Sequence, residues 1–332
     1  MVLASLLSLR ASRAAVLRQS RALSTYKPDI EAVKKLRAAS EAPLKDVKNA
    51  LVATNGDFPA AFEWLRKKGI ARASAKAGRT TAQGLIGVHV ADKAGAMVEI
   101  NSETDFVAMN EKFQELVATV AQAFAESAPR NALTTHLEGE TFGQLSVDGE
   151  TVADKVPELV GKVGENVVAR RAVKFEVQEG TICSYLHNLA GNGLGRAGAL
   201  VALEYPSSSV SAEQEQEIAL LGKRLAMHIV AAKPKYLSRD AVPEAIVEKE
   251  RAFLLDQVKD SGKPANILAK MTEGRLNKFF GEMTLLDQDH FIEEGSPKVG
   301  AFVDGVAKKL GVDIKVAAYE RFEIGAEDES SA

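Results

Sequence analysis

Gly84-Leu85-Ile86-Gly87-Val88-His89-Val90, a turn at Lys93-Ala94-Gly95, and Ala96-Met97-Val98-Glu99-Ile100 together read as a β-hairpin. The pattern returns at Gly180-Thr181-Ile182-Cys183-Ser184-Tyr185-Leu186-His187, which leads through a longer turn to Ala199-Leu200-Val201-Ala202-Leu203-Glu204. An amphipathic helix follows each hairpin. Phe113, Leu116, Val117, Val120 and Phe124 make the apolar face of the first, and Ile218, Leu221, Leu225 and Ile229 that of the second. The helices also close alike, at Ser127-Ala128-Pro129 and Ala232-Lys233-Pro234. A repeat of hairpin plus helix predicts an α+β fold with a pseudo-symmetric core of two sheet-plus-helix halves. The first half is expected over residues 84–177, the second over 178–237 with its end at 291–325.

Between the halves, Val152 to Val163 reads as a helix and Ala172 to Val177 as a strand. Two helical stretches, Pro243 to Lys259 and Pro264 to Glu282, meet at Ser261-Gly262-Lys263. By pattern Ile246, Phe253, Leu254 and Val258 face Ile267, Met271, Leu276 and Phe279, which makes an αα-hairpin inserted over 238–290. Val299 to Ile324 reads as one more helix and a final strand, before an acidic tail (326–332) with Glu327, Asp328 and Glu329.

Upstream, residues 26–70 read as three short helices. Asp29 opens Ile30 to Ala39, and Pro43 suits the first turn of a helix carrying Leu44, Val47 and Leu51, which Asn55-Gly56 stops. Asp57 caps a third, with Phe58, Ala61, Phe62 and Leu65 on one face, expected to end near Gly69. This module resembles a ubiquitin-associated (UBA) fold; ubiquitin binding and plain docking are both open to it. A basic linker over 71–83 follows, and Arg66, Lys67, Lys68, Arg72, Lys76 and Arg79 come with no acid between them. Charge alone favours a solvated helical linker; docking on an acidic partner helix is the other reading, in which the cations steer association.

Residues 1–25 form a different kind of segment. Arg10, Arg13, Arg18 and Arg21 come before the first acid, Asp29, with serines at 5, 8, 12, 20 and 24 and an apolar stripe through Leu3, Leu6, Leu7 and Leu9. Basic, serine-rich and acid-free is the composition of a mitochondrial presequence, so a matrix location is expected. No later run is long and apolar enough for a membrane span. The net charge of -3 and 6% aromatics argue against nucleic acid as a partner. Cys183 is the one cysteine, so neither an intrachain disulfide nor a multi-cysteine metal site is open.

Catalytic chemistry is not visible. Gly193-x-Gly195-x-x-Gly198 matches a dinucleotide fingerprint, but the next segment, Ala199 to Glu204, reads as a strand where a helix is required. These glycines read as a flexible hairpin turn. There is no Walker lysine loop, no zinc spacing among the five histidines and no nucleophile elbow. No catalytic residue, cofactor, metal or directly bound nucleotide is expected, and the chain reads as a non-enzyme.

Strand Met97 to Ile100 runs into Asn101-Ser102-Glu103-Thr104-Asp105-Phe106-Val107-Ala108. Thr104 is a good N-cap and Asp105 suits the positive end of a helix dipole. On a helix unbroken to Phe124, Phe106 would join the core. Asn110 offers a second cap and a break, which would leave Phe106 on a short exposed turn. Both readings stand on pattern.

The run Thr104-Asp105-Phe106-Val107-Ala108 resembles the signature of elongation factor Ts. Further blocks agree in order: Asn55-Gly56-Asp57, Gly164-Glu165-Asn166 with Arg170-Arg171, Met227-His228-Ile229 with Ala232-Lys233-Pro234, Ser261-Gly262-Lys263-Pro264, Lys270-Met271 with Glu273-Gly274-Arg275, and Arg321-Phe322-Glu323. The resemblance implies a guanine-nucleotide exchange factor for mitochondrial elongation factor Tu, bound as a heterodimer during translation elongation. It implies that Asp105 and Phe106, framed by Thr104 and Val107, approach the partner's GTPase domain, where the ring wedges between helices and disturbs the Mg²⁺ site. His187 matches a partner-contacting histidine, or is a half-buried strand histidine; His228 reads as structural. Lys67 and Lys68, in the UBA-like module and basic stretch, are implied contacts to the GTPase domain. Two departures from the bacterial pattern are the longer turn Asn188 to Gly198 and an end soon after Arg321-Phe322-Glu323, which implies that the extra terminal module is missing.

Overall fold

A computed structural model describes residues 26–128, 132–259 and 264–326. The expected presequence, Pro129, the turn Ser261-Gly262-Lys263 and the acidic residues from Glu327 lie outside the described residues. The chain divides at Arg72 into two compact units.

The first unit holds α1 (Ile30–Ser40), α2 (Leu44–Ala53) and most of α3 (Phe58–Lys76). The Asp29 carboxylate accepts from the Ala32 amide at 2.6 Å and starts α1. Val33, Leu36, Val47, Ala50, Leu51, Ala61 and Leu65 form its small core. The expected end near Gly69 is corrected: α3 continues through Gly69 to Lys76. One interior glycine costs a helix only about 1 kcal/mol, and the alanine-rich Ile70-Ala71-Arg72-Ala73 favours continuation. Tertiary bonds add to this. The buried Asp46 lies 2.7 Å from Lys68 Nζ and 2.6 Å from Arg72 Nη2. Those pairs outweigh the burial that raises the Asp46 pKa, so the carboxyl is held below its usual range.

The second unit begins with β1 (Gln83–Ala91) and β2 (Ala94–Ser102), paired Leu85 to Ile100 and Val88 to Met97. Then come α4 (Asp105–Ala108), α5 (Glu111–Glu126), β3 (Thr134–Glu138), α6 (Gly139–Gly143), a small hairpin of β4 (Ser146–Val147) and β5 (Glu150–Thr151), α7 (Val152–Val163) and β6 (Val167–Glu176). The second repeat supplies β7 (Thr181–His187), β8 (Leu194–Gly195), β9 (Ala197–Glu204) and α8 (Ala212–Ala232). The helical pair α9 (Glu244–Lys259) and α10 (Ala265–Met283) follows, and α11 (Val299–Leu310) and β10 (Lys315–Glu323) close the fold.

Besides the β4-β5 hairpin, the described strands form two larger antiparallel sheets, ordered β3-β6-β2-β1-β8 and β10-β9-β7. They stack between helices. One face of the first sheet, with Leu85, Val98 and Ile100, packs on Phe113, Val117 and Phe124 of α5. Its other face, with Ile86, Met97 and Phe175, meets Ile182, Leu200 and Phe322 of the second sheet. Val201 and Leu203 then face Ile218 and Leu225 of α8 and Val303 of α11. The α+β class and the two sheet-plus-helix halves are present, arranged as helix, sheet, sheet, helix.

Three local expectations are corrected. The strand expected at Ala172 begins at Val167. Arg170 and Arg171 mask it in the sequence, because both reach the fully buried Glu99, at 3.1 and 2.7 Å, across a bulge at Glu99/Ile100. In the helical pair, Leu254 and Leu276 are buried as expected of a seam, Phe280 takes the buried place expected of Phe279, and Ile246, Phe253 and Ile267 are exposed. Two helices cover each other on one narrow face only, so an apolar stripe wider than that face stays wet. The glycine turn is not loose either. β8 pairs with β1 of the other half, Ile86 to Gly195 and Gly87 to Leu194. A Cβ at Gly193 would come within 3.0 Å of Val88 O, and one at Gly195 within 2.9 Å of His187 O. Gly193 serves close backbone approach to β1 and Gly195 to β7 of the other sheet, and the strand β9 follows them.

Candidate functional site

β2 ends where its chain turns outward at Ser102, whose hydroxyl donates to Thr104 O at 2.9 Å. Thr104 adopts extended backbone and caps α4, its hydroxyl oxygen accepting from Val107 N–H at 3.4 Å. Asn110 then caps α5 by accepting from Lys112 N–H at 2.9 Å. The second cap breaks the helix. Val107 and Ala108 turn into the core while Asp105 is exposed; Phe106 stands 81% and Met109 70% exposed. A phenylalanine this open costs solvation that its own fold never recovers, which singles it out from scattered surface leucines.

Carboxylates hold the base of this turn. Thr104 N–H donates to Glu165 Oε2 at 3.0 Å, and its hydroxyl lies 2.9 Å from Oε1. Glu103 Oε1 accepts from Asn166 N–H at 2.6 Å and faces Arg79 Nη1 at 3.3 Å. That backbone bond, with Arg79 and Lys76 nearby, keeps the Glu103 carboxyl below its usual pKa. Pattern reading missed Glu103, Glu165 and Met109 as parts of the site. The cues to Glu165 were the Gly164-Glu165-Asn166 block and Gly164 itself, which stops α7 at φ +80 and leaves an acid next in line.

The other candidates are placed separately. His187 ends β7, exposed rather than half-buried, with Nδ1 3.2 Å from the Tyr185 hydroxyl. It borders a cleft of about 340 Å³ with Arg196, Met227, Ile292 and Glu323. Lys67, 74% exposed, lies 3.8 Å from Glu63, whereas Lys68 is engaged with Asp46 and sits over the Trp64 ring. His228 is fully buried, with Nε2 2.9 Å from Gln288 Oε1. Among the described residues no cluster of three or more histidine, cysteine or acidic side chains is set to hold a metal, and no helix is long and apolar enough to cross a membrane.

Comparison with known proteins decides the family. A family model described as Elongation factor TS matches residues 103–326, which begins at the turn just described. Elongation factor Ts of Brucella anthropi is 40% identical over 293 residues, 88% of this chain and 91% of that protein. Those of Brucella ovis and Brucella canis are 42% identical over 294 residues, with the same coverage. The chain belongs to the elongation factor Ts family. Membership makes it a nucleotide-exchange factor of translation elongation. Nucleotide exchange is driven by binding energy directed at another protein. Glu165 and Asn166, like Phe106, lie inside the matched span.

Proposed function

We propose that this chain is the exchange factor of a mitochondrial elongation factor Tu, and that Phe106 is the side chain that expels GDP. The observation that carries the reading is the 81% exposure of Phe106 on a doubly capped turn of a well-packed core. The ring enters between helices of the partner's GTPase domain, with Asp105 beside it, and displaces the groups that hold Mg²⁺. Burying a phenylalanine side chain yields roughly 1.5–3 kcal/mol. That is about ten- to a hundredfold in an equilibrium constant, available only to the distorted partner. Losing Mg²⁺ then weakens the hold on the GDP phosphates. Linkage makes the effect reciprocal: GDP must weaken the heterodimer by the factor by which the heterodimer weakens GDP.

Thr104 and Val107 frame the ring in this reading, and Lys67 steers the GTPase domain towards the helical module. Lys68 adds charge to that surface from its place beside Asp46, and His187 makes a separate contact from the second half. The acid-free, arginine- and serine-rich leader supports import into the matrix. Release of fluorescent GDP from mitochondrial elongation factor Tu should accelerate with the full chain and lose most of that acceleration with Phe106→Ala. A Phe106→Ala protein that exchanges at full rate removes the wedge. Isolated mitochondria should import and shorten the full chain; a form lacking residues 1–25 that enters equally well removes the leader reading.

A further inference from the structure

Glu165 spends both carboxylate oxygens on a single residue of the Phe106 turn. The Thr104 amide donates to Oε2 at 3.0 Å, and the Thr104 hydroxyl lies 2.9 and 3.0 Å from Oε1 and Oε2. That hydroxyl oxygen also accepts the Val107 amide, so its own proton is left for Glu165. The attachment is mutual. Glu103, from the turn, accepts the Asn166 amide at 2.6 Å; the Asn166 side chain donates to Arg79 O at 3.0 Å, and the Lys76 ammonium donates to Gly164 O. Each of the two segments lends a carboxylate to the other's backbone.

Satisfying one amide does not require this much. α4 is one turn long, too short to hold its shape unaided, and only Val107 and Ala108 anchor it by packing. Asp105, Phe106 and Met109 face outward. The direction of the Phe106 ring therefore depends on the backbone of Thr104, whose carbonyl is held by Ser102 within the turn and whose amide is held from outside it by Glu165. A ring already aimed loses less conformational freedom when it enters another protein.

We propose that Glu165 is a positioning residue for nucleotide exchange: it holds Thr104 so that α4 presents Phe106 in its inserting orientation. The proposal rests on the Phe106 reading above. It acts after docking, so it changes how fast GDP leaves the docked complex and leaves the first encounter alone.

The test is single-turnover release of fluorescent GDP from elongation factor Tu at rising concentrations of the full chain, with Glu165→Ala, Glu165→Gln and Phe106→Ala in parallel. Glu165→Ala should lower the maximal rate roughly tenfold, the effect of about one charge-assisted hydrogen bond, with the half-saturating concentration unchanged within about twofold. Glu165→Gln keeps an acceptor for the Thr104 amide and should recover most of the rate. A glutamine variant as poor as alanine means that charge acts directly, and overturns positioning. A full maximal rate in Glu165→Ala, with Phe106→Ala impaired, overturns the proposal and leaves the wedge standing. A full rate in Phe106→Ala removes the wedge and positioning with it. Amide exchange in the free protein covers the case of a damaged fold. The Phe106 and Val107 amides should exchange faster in Glu165→Ala while α5 keeps its protection; unchanged exchange at those amides, or a loss of protection that reaches α5, overturns the proposal.

Discussion

At 81% exposure Phe106 adds little to the stability of its own fold, so its truncation separates exchange from folding. Phe106→Ala should melt within about 2 °C of the parent, whereas Phe113→Ala, at 0% exposure, should cost about 3–5 kcal/mol. His228 and His290 carry a different residue-scale consequence. Their rings lie 5.0 Å apart in full burial, and each Nδ1 accepts a backbone amide, from Phe291 at 3.2 Å and Ile292 at 3.1 Å. Burial, helped by the charges of His228 and Arg224, pushes His290 down to about 4; burial also lowers His228, against the bond to Gln288. The unfolded chain takes up these protons near 6.5 and the folded chain refuses them. Stability is therefore complete above pH 6.5 and falls as pH drops towards 4, by up to about 3 kcal/mol for His290. Asp46 and Asp287, held below 3.8, lose their contribution only at lower pH, and Glu320, raised by burial, works the opposite way. Urea unfolding at pH 7 and pH 5 should show a difference that shrinks in His290→Phe.

Helix α8 lies on β7 at a distance that only Gly222 allows. A Cβ there would overlap Cys183 Sγ and come within 2.6 Å of its Cβ. The thiol is correspondingly inert, its pKa pushed up to about 11 by burial. Alanine normally favours a helix over glycine by about 1 kcal/mol. Here Gly222→Ala should destabilise by about 1–3 kcal/mol, because the helix must lift from the sheet, and Cys183→Ala in the same chain should restore part of the loss in thermal melts. Elements were legible in the sequence where a local rule governed them. Asp29, Thr104 and Asn110, read as caps from the sequence, do cap the helices that follow them. The end of α3 was not legible, since Asp46 supplies bonds that favour the helix beyond Gly69. Nor was the start of β6, whose Arg170 and Arg171 look like solvent residues until the buried Glu99 is seen between them.

Across the whole second unit, the two sheets share one apolar layer, with Met97 from the first and Leu200 from the second both at 0% exposure. β8 also stitches the second half to β1 of the first. Either half would leave a bare sheet face without the other. Met97→Ala should cost about 2–5 kcal/mol and weaken both halves together, seen as a parallel rise in amide exchange in α5 and α8. A loss confined to α5 would contradict the shared layer. The internal repeat and the helix caps at Asp29, Thr104 and Asn110 were readable from the chain, because each expresses a preference acting over a few neighbouring residues. Tertiary structure alone decided which side of each all-apolar strand meets helix or sheet, that Phe106 stays outside, and that Glu165 grips Thr104. Those outcomes depend on groups such as this pair, 61 residues apart in sequence, and no local preference reports on contacts at that separation.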